Sequence, residues 1–204
     1  MLLAGITWLG LVGGGLHLVW RYENSPGQSG MPPTKWPTES AIKRSPELPT
    51  LVLFVHPRCP CSRATIGELA ILMAHSQGLV NANALFVKPA NVDQAWEKTD
   101  LWNSAMDIPG VKVTNDDNGV EARRFRSETS GQVSLYSAEG KLVFSGGITG
   151  ARGHSGDNDG RAAILSILGT GKSPRTQTPV FGCPLVKETS NKPSEEFCNV
   201  RHGN

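Results

Sequence analysis

The feature that most constrains this chain is an apolar run that stops at two cysteines. Residues 51–55 (Leu-Val-Leu-Phe-Val) have the continuous apolar pattern of a strand buried on both faces. Residues 56–58 interrupt that pattern, and Cys59-Pro60-Cys61 follows directly. Apolar residues then recur at i, i+3, i+4 and i+7, the spacing of one helical face, at Ile66, Leu69, Ala70 and Met73. We therefore expect a buried strand that delivers two thiols to the start of a helix.

Cysteines at the start of a helix have a chemical consequence. The unpaired N–H groups and the dipole of a helix N-terminus stabilise negative charge, so a thiol there loses its proton more easily. Pro60 suits the first helical position, which would place Cys59 at or next to the N-cap. Arg58 and Arg63 flank the pair, and their positive charge should lower a thiol pKa further. We interpret the cysteines as reactive or metal-binding; the alternative is two small buried residues at a strand–helix junction.

The N-terminal segment 1–20 contains no Asp, Glu, Lys or Arg and is long enough to cross a bilayer as a helix. It runs into Trp20-Arg21 without an obvious cleavage site, so we interpret it as an uncleaved transmembrane anchor. The proline- and glycine-rich residues 21–47 should form an extended linker. Arg21 by itself favours a cytoplasmic domain. An oxidisable cysteine pair favours the extracytoplasmic, periplasmic side, and we expect that side.

The remaining chain alternates strands and helices. Strands are expected at 51–56, 84–87 and 111–113, and a hairpin at 132–136 and 141–145; helices are expected at 62–76, 94–106 and 160–168. Asn158 or Asp159 is the candidate cap of the last helix. This order predicts an α/β domain over residues 48–170 with a central mixed sheet flanked by helices, followed by an irregular cysteine-containing tail at 171–204. The net charge of +2 gives no indication of a nucleic-acid partner.

A βαβ unit with cysteines at its first helix, then a hairpin and a last helix, resembles the thioredoxin-like superfamily over roughly residues 48–170. An anchor combined with residues 56–61 (His-Pro-Arg-Cys-Pro-Cys) and 145–150 (Ser-Gly-Gly-Ile-Thr-Gly) resembles, more narrowly, the RedB-like branch. The resemblance implies a thiol–disulfide oxidoreductase that acts on protein thiols and disulfides without a bound cofactor. Cys59 would be the attacking thiol and Cys61 the resolving thiol.

Two departures from the thioredoxin pattern accompany this resemblance. The cysteines are spaced C-x-C instead of C-x-x-C, so a Cys59–Cys61 disulfide would close a very small ring and should be easily reduced. The position of the family's cis-proline holds Thr129-Ser130-Gly131 and no proline. The resemblance implies that Ser130 and Gly131 face Cys59.

Alternatives remain for the cysteines. Two thiolates two residues apart can also bind a soft metal such as Cu(I), with His56 or His154 as a further ligand, which is similar to copper chaperones of the Sco type. A third possibility is a binding domain without catalytic activity.

The tail cysteines, Cys183 and Cys198, are candidates for a structural disulfide. Alternatively, Cys183 returns to the active site as a third thiol, and the four cysteines of the chain allow three complete pairings.

Overall fold

The computed structural model describes residues 2–185. Within these residues the helices and strands are, in chain order, α1 (Leu2–Glu23), β1 (Thr50–Val55), α2 (Ser62–His75), β2 (Asn81–Lys88), α3 (Asp100–Met106), β3 (Val111–Asp117), α4 (Val120–Arg124), β4 (Gln132–Tyr136), β5 (Leu142–Gly146) and α5 (Asp159–Thr170).

The five strands form one mixed sheet in the order β3-β2-β1-β4-β5. The central strand β1 pairs parallel with β2 and antiparallel with β4, and β2 and β3 are also parallel. β4 and β5 form the antiparallel hairpin that the sequence predicts, around a turn at residues 137–140. The predicted mixed sheet flanked by helices is therefore confirmed.

Side chains of β1 alternate between two apolar layers, as they must in a strand with both faces covered. Leu53 and Val55 belong to the larger layer, which contains residues of α2, α3 and α5. Val52 and Phe54 belong to the smaller layer, which contains Ala122 of α4 and Phe125. All six residues of β1 are buried, so the strand is fixed on both faces.

The proline-rich segment 24–49 is irregular, but it packs on the domain. The Trp36 ring lies edge-on to Phe125 and Tyr136, at centroid distances of 5.1 and 5.2 Å. The Tyr136 hydroxyl donates a hydrogen bond of 3.0 Å to the Pro33 carbonyl. These contacts cover the smaller apolar layer, so the segment is part of the folded domain as well as a connection to α1.

The two element boundaries that differ most from the sequence-based expectation are the start of α3 and the end of β3. α3 begins at Asp100 instead of near residue 94, because residues 93–98 form turns. β3 extends through residue 117, four residues beyond the strand expected at 111–113. The reason is Asp116, whose carboxylate accepts 2.8 Å hydrogen bonds from the backbone N–H groups of Glu121 and Ala122 at the start of α4. Burial raises the pKa of Asp116.

The large apolar side chains of helix α1 are exposed, and no part of its apolar stretch is buried against the domain. It is long and apolar enough to cross a membrane, a test of length and composition that a signal sequence also passes.

A buried carboxylate joins α2 to the N-terminus of α5. The Glu68 side chain is fully buried and ion-paired with Arg161. It also accepts hydrogen bonds from the Gly156 backbone N–H at 2.7 Å and from the Asn158 side-chain amide at 3.1 Å. Asn158 in turn accepts from the Arg161 backbone N–H at 2.8 Å, which confirms it as the N-cap of α5. Glu68 therefore fixes the loop before α5.

Replacing Glu68 with alanine should lower the free energy of unfolding by about 3–5 kcal/mol, because it leaves the Arg161 cation and two donors without their buried acceptor. Urea unfolding of the full chain in detergent measures this loss. The matched control is Asp157→Ala, which removes the exposed carboxylate on the same arginine and should change stability little. Equal effects of the two substitutions would contradict a structural role for Glu68.

Candidate thiol site

A short turn delivers the two cysteines from β1 to α2. The Cys59 backbone N–H donates to the His56 carbonyl at 3.1 Å, and the Cys59 carbonyl accepts from the Ser62 N–H at 3.0 Å. The helix begins at Ser62 with Cys61 as its N-cap. The expectation that Cys59 is at or next to the N-cap, with Pro60 at the first helical position, is therefore wrong by two residues. The cause is this turn, which takes up Cys59, Pro60 and Cys61 before the helix starts.

Cys59 is 1% exposed and surrounded by hydrogen-bond donors. The Cys183 and Cys61 thiols donate to its sulfur, the Ser62 hydroxyl does the same, and the Cys183 backbone N–H lies 3.4 Å from Sγ. These donors, the Cys183 thiol first, hold the pKa of Cys59 far below its ordinary value although burial alone would raise it. These contacts favour the ionised form of the Cys59 thiol.

Cys61 has the opposite protonation. Its thiol donates to Cys59, and this bond, together with burial and the neighbouring negative charge, raises the pKa of Cys61 well above its ordinary value. The Arg152 guanidinium opposes the shift through its charge and a hydrogen bond. The contacts therefore shift the two pKa values in opposite directions, which favours ionisation of Cys59 before Cys61. Thiol exchange uses a thiolate beside a second thiol.

Ser130 and Gly131 lie beside the cysteine turn, in contact with His56, Ser62 and Thr65. That they face Cys59 itself stays a prediction. The Ser130 hydroxyl accepts from the His56 N–H at 2.7 Å and is hydrogen-bonded to the Ser62 hydroxyl at 2.8 Å. Ser130 thus orients the Ser62 hydroxyl that donates to Cys59. Gly131 has a positive φ of 93°, and an added Cβ would lie 3.1 Å from the Thr65 hydroxyl, which makes glycine the suitable residue.

The tail returns to the site and places Cys183 there, as in the alternative that the sequence analysis kept for this cysteine. The Ser130 N–H donates to the Cys183 carbonyl and the Leu185 N–H donates to the Glu128 carbonyl, both at 2.8 Å. Thr129 and Pro184 form an antiparallel bridge between these two bonds. Residues 182–185 therefore lie as a short extended strand along residues 128–130, with Cys183 against Cys59.

Glycines permit the approach of this tail strand, by which we mean residues 182–185. An added Cβ at Gly182 would overlap the Ser130 carbonyl oxygen. An added Cβ at Gly147 would lie 2.6 Å from the Pro179 carbonyl oxygen, where the chain enters the site. Gly147 belongs to the glycine-rich 145–150 segment of the sequence, so part of that motif serves the docking of the tail.

Arg152 is a site residue that the sequence analysis did not identify. Its Nη1 donates to the Gly182 carbonyl at 2.7 Å and its Nε to the Ser25 carbonyl at 3.0 Å. Its guanidinium also hydrogen-bonds to Cys61. The only sequence signal for Arg152 is its position just after the glycine-rich segment, whereas Arg58 and Arg63 directly flank the cysteines in the sequence.

The flanking arginines have other contacts. The Arg58 guanidinium lies over the Trp96 ring, 4.9 Å from its centroid, and Arg63 is ion-paired with Asp100 at the surface. Neither arginine is among the largest causes of the Cys59 pKa shift. The positive charge beside the pair is supplied by Arg152 instead.

The two candidate histidine ligands have separate surroundings. The His56 ring lies 5.6 Å from the Trp96 ring, and its Nδ1 accepts from the Arg58 backbone N–H at 3.2 Å. His154 Nε2 is 3.6 Å from a Glu23 carboxylate oxygen at the end of α1. Within residues 2–185, no group of three or more His, Cys, Asp or Glu side chains is arranged to hold a metal ion.

Cys198 lies outside the described residues, so its pairing with Cys183 stays a prediction.

Comparisons with known proteins agree with this fold. No family model matches the sequence, and no curated protein matches it significantly. An uncharacterised conserved protein from Geobacillus kaustophilus is similar with a TM-score of 0.57 and 17% identity, over 82% of this chain and 94% of that chain. A hypothetical protein from Sinorhizobium meliloti 1021 is similar with a TM-score of 0.54 and 22% identity, over 79% and 93%.

A weaker similarity, with a TM-score of 0.44 and 16% identity, is to the exposed lipoprotein thioredoxin Etrx1 of Streptococcus pneumoniae, over 59% of this chain and 83% of that chain. With the strand order described above, the chain has the thioredoxin-like fold that its sequence resemblance implied. The narrower resemblance to the RedB-like branch stays a prediction.

The ultraviolet absorbance of the Cys59 thiolate should persist at about pH 6, where an unperturbed thiol with a pKa of about 8.5 is roughly 0.3% ionised. Acidification should remove the absorbance only far below that pH, because the donors around Sγ lower the pKa of Cys59. Cys183→Ala should raise this pKa, since it removes the thiol that contributes most to the shift. Cys198→Ala is the matched control, and an identical titration of both variants would contradict the assignment.

Proposed function

We propose that this protein is a membrane-anchored, extracytoplasmic thiol–disulfide oxidoreductase that acts on protein thiols and disulfides through Cys59 and Cys61. The thioredoxin-like fold supports this class of chemistry. The observation that carries the proposal is the geometry of the cysteine turn: Cys59 is buried after the end of β1, its sulfur lies 3.4 Å from the Cys183 backbone N–H, and the Cys61 thiol hydrogen-bonds to it. A thiolate is the reactive form of cysteine, and its neighbour supplies the second thiol of a two-electron couple.

The reaction proceeds by two sulfur displacements. The Cys59 thiolate attacks one sulfur of a substrate disulfide, a Cys59–substrate disulfide forms, and the other substrate sulfur leaves as a thiolate. A second thiol then gives up its proton to the released thiolate and attacks the Cys59 sulfur. The substrate leaves reduced by two electrons, and the protein retains an internal disulfide. Reversal of the same steps oxidises a substrate dithiol.

The donors around Cys59 affect both steps, because Cys59 is the attacking thiolate in the first step and the leaving thiolate in the second. Cys59 leaves as a thiolate when the mixed disulfide is resolved, and the Cys183 N–H and Ser62 hydroxyl stabilise that charge. A stable thiolate is a good leaving group but a weaker nucleophile. The arrangement therefore favours the reduced state of the site and gives the internal disulfide an oxidising character.

Helix α1 supports the anchoring part of the proposal. Its length and composition suffice for a bilayer, and its large apolar side chains are exposed along the whole helix. The extracytoplasmic side follows from the chemistry, since disulfides persist outside the cytosol.

The Cu(I) alternative uses the same two thiols. The described residues bring together no third ligand of the kind expected from His56 or His154, so no observation favours it over exchange. It stays a hypothesis drawn from the sequence.

Cys59→Ser should reduce the rate of exchange with oxidised glutathione at about pH 6 by at least about a hundredfold, because the remaining thiols have little thiolate at that pH. Stopped-flow or quenched assays on the full chain in detergent measure the rate. Cys198→Ser, outside the proposed thiol pair, is the control and should react as the original protein does. An unchanged rate in Cys59→Ser, or no exchange by the original protein, would exclude this function.

Leu11→Arg should move the protein from the membrane fraction to the soluble fraction, because a charge at the centre of a spanning helix costs about 2.5–3.5 kcal/mol on insertion scales. Leu11→Ala is the matched control and should remain in the membrane after carbonate extraction.

Protease added to intact spheroplasts should digest the domain if it is extracytoplasmic. Full protection of the domain would reverse the proposed orientation.

A further inference from the structure

We infer that Cys183 is a third redox-active thiol of this site and that it forms an internal disulfide with Cys59 during turnover. The inference rests on the proposed function and adds a residue to it. Cys183 lies 124 positions from Cys59 in the sequence, yet both its backbone N–H and its thiol contact the Cys59 sulfur. A contact of this kind between the attacking sulfur and a second thiol is the starting geometry for disulfide formation.

The backbone holds Cys183 at this place from both sides. Its carbonyl accepts from the Ser130 N–H, and the carbonyl of the preceding Gly182 accepts from Arg152 Nη1 at 2.7 Å. On the other side, Leu185 is 2% exposed and packs in the smaller apolar layer. The position of Cys183 is therefore fixed by hydrogen bonds and by an apolar anchor, and not by the thiol contact alone.

Cys183 has two advantages over Cys61 as the partner of Cys59. Cys61 is bound into the turn, where Pro60 separates it from Cys59 and its backbone already has helical angles (φ −65°, ψ −25°). A bond across that turn needs a very small ring, whereas Cys183 approaches on a separate strand. Cys183 is also partly exposed, while Cys59 and Cys61 are 1% and 7% exposed.

Because Cys183 is partly exposed, an external thiol can reach its sulfur in the internal disulfide. In the forward direction, Cys183 loses its proton to the released substrate thiolate and attacks the Cys59 sulfur of the mixed disulfide. The Cys59–Cys183 bond forms, the bond to the substrate breaks, and the substrate thiolate leaves. In the return direction, a thiol of a reducing dithiol attacks the more accessible Cys183 sulfur and releases Cys59 as its stabilised thiolate.

Disulfide mapping of the full chain in detergent tests this assignment directly. The protein is equilibrated with a series of reduced and oxidised glutathione mixtures, quenched in acid, alkylated and digested with trypsin. The chain places its cysteines on three tryptic peptides: residues 59–63, residues 176–187 and residues 188–201. A Cys59–Cys61 bond stays within the first peptide, a Cys59–Cys183 bond joins the first to the second, and a Cys183–Cys198 bond joins the second to the third.

We expect the link between residues 59–63 and 176–187 to appear reversibly with the glutathione ratio. It should persist in Cys61→Ser, which also fixes Cys59 as the linked residue, and in Cys198→Ser. Cys183→Ser should lose it and accumulate a glutathione adduct on Cys59. A bond confined to residues 59–63, or a stable link between the second and third peptides, would overturn the inference while leaving exchange through Cys59 intact. Absence of any oxidation that depends on Cys59 would instead remove the proposed function.

A second variant displaces Cys183 without altering a cysteine. In Gly182→Ala, the added Cβ would overlap the Ser130 carbonyl oxygen and should move the tail strand away from Cys59. We expect the Cys59–Cys183 link to weaken on the order of tenfold against glutathione, because the effective concentration of the second thiol falls. Gly169→Ala, in α5 with open space around its added Cβ, is the matched control. Equal link formation in the two variants would contradict the docking geometry.

Discussion

The site depends on the burial of β1 between two apolar layers. This burial fixes the point where the strand ends, and therefore where the cysteine turn leaves the sheet. Because β4 runs antiparallel to β1, with Phe54 opposite Gln132, the residues that precede β4 arrive beside that same point. The β1–β4 pairing therefore places Ser130 and Gly131 next to the cysteine turn. The sheet register alone brings together two segments separated by about 70 residues.

The tail strand contributes both to the burial of the Cys59 sulfur and to the donors around it. Cys59 is 1% exposed, and residues 182–185 are hydrogen-bonded beside it. The same residues supply the N–H and thiol that stabilise the thiolate. One segment therefore both covers Cys59 and supplies donors that stabilise its thiolate.

The sequence predicted the fold well because the signals for β1, the hairpin and the cap at Asn158 are local. The apolar run, the turn before Lys141 and the capping side chain each determine their own segment. The site was predicted only in part. Ser130 was placed through a family resemblance, whereas Arg152 and the docking of Cys183 depend on contacts between distant segments. No periodicity or motif within residues 171–185 records that the tail returns, since its bonds are made by the backbone.

Arg152 joins the thiol site to the end of the apolar helix. Its backbone N–H donates to the Glu23 carbonyl at 2.9 Å, and its side chain bonds the carbonyls of Ser25 and Gly182 and the thiol of Cys61. With α1 in a bilayer, the cysteines lie about one arginine side chain from the last helical turn. If α1 spans a bilayer, these hydrogen bonds hold the thiol site at the membrane surface, because Arg152 links the last turn of the helix directly to Cys61.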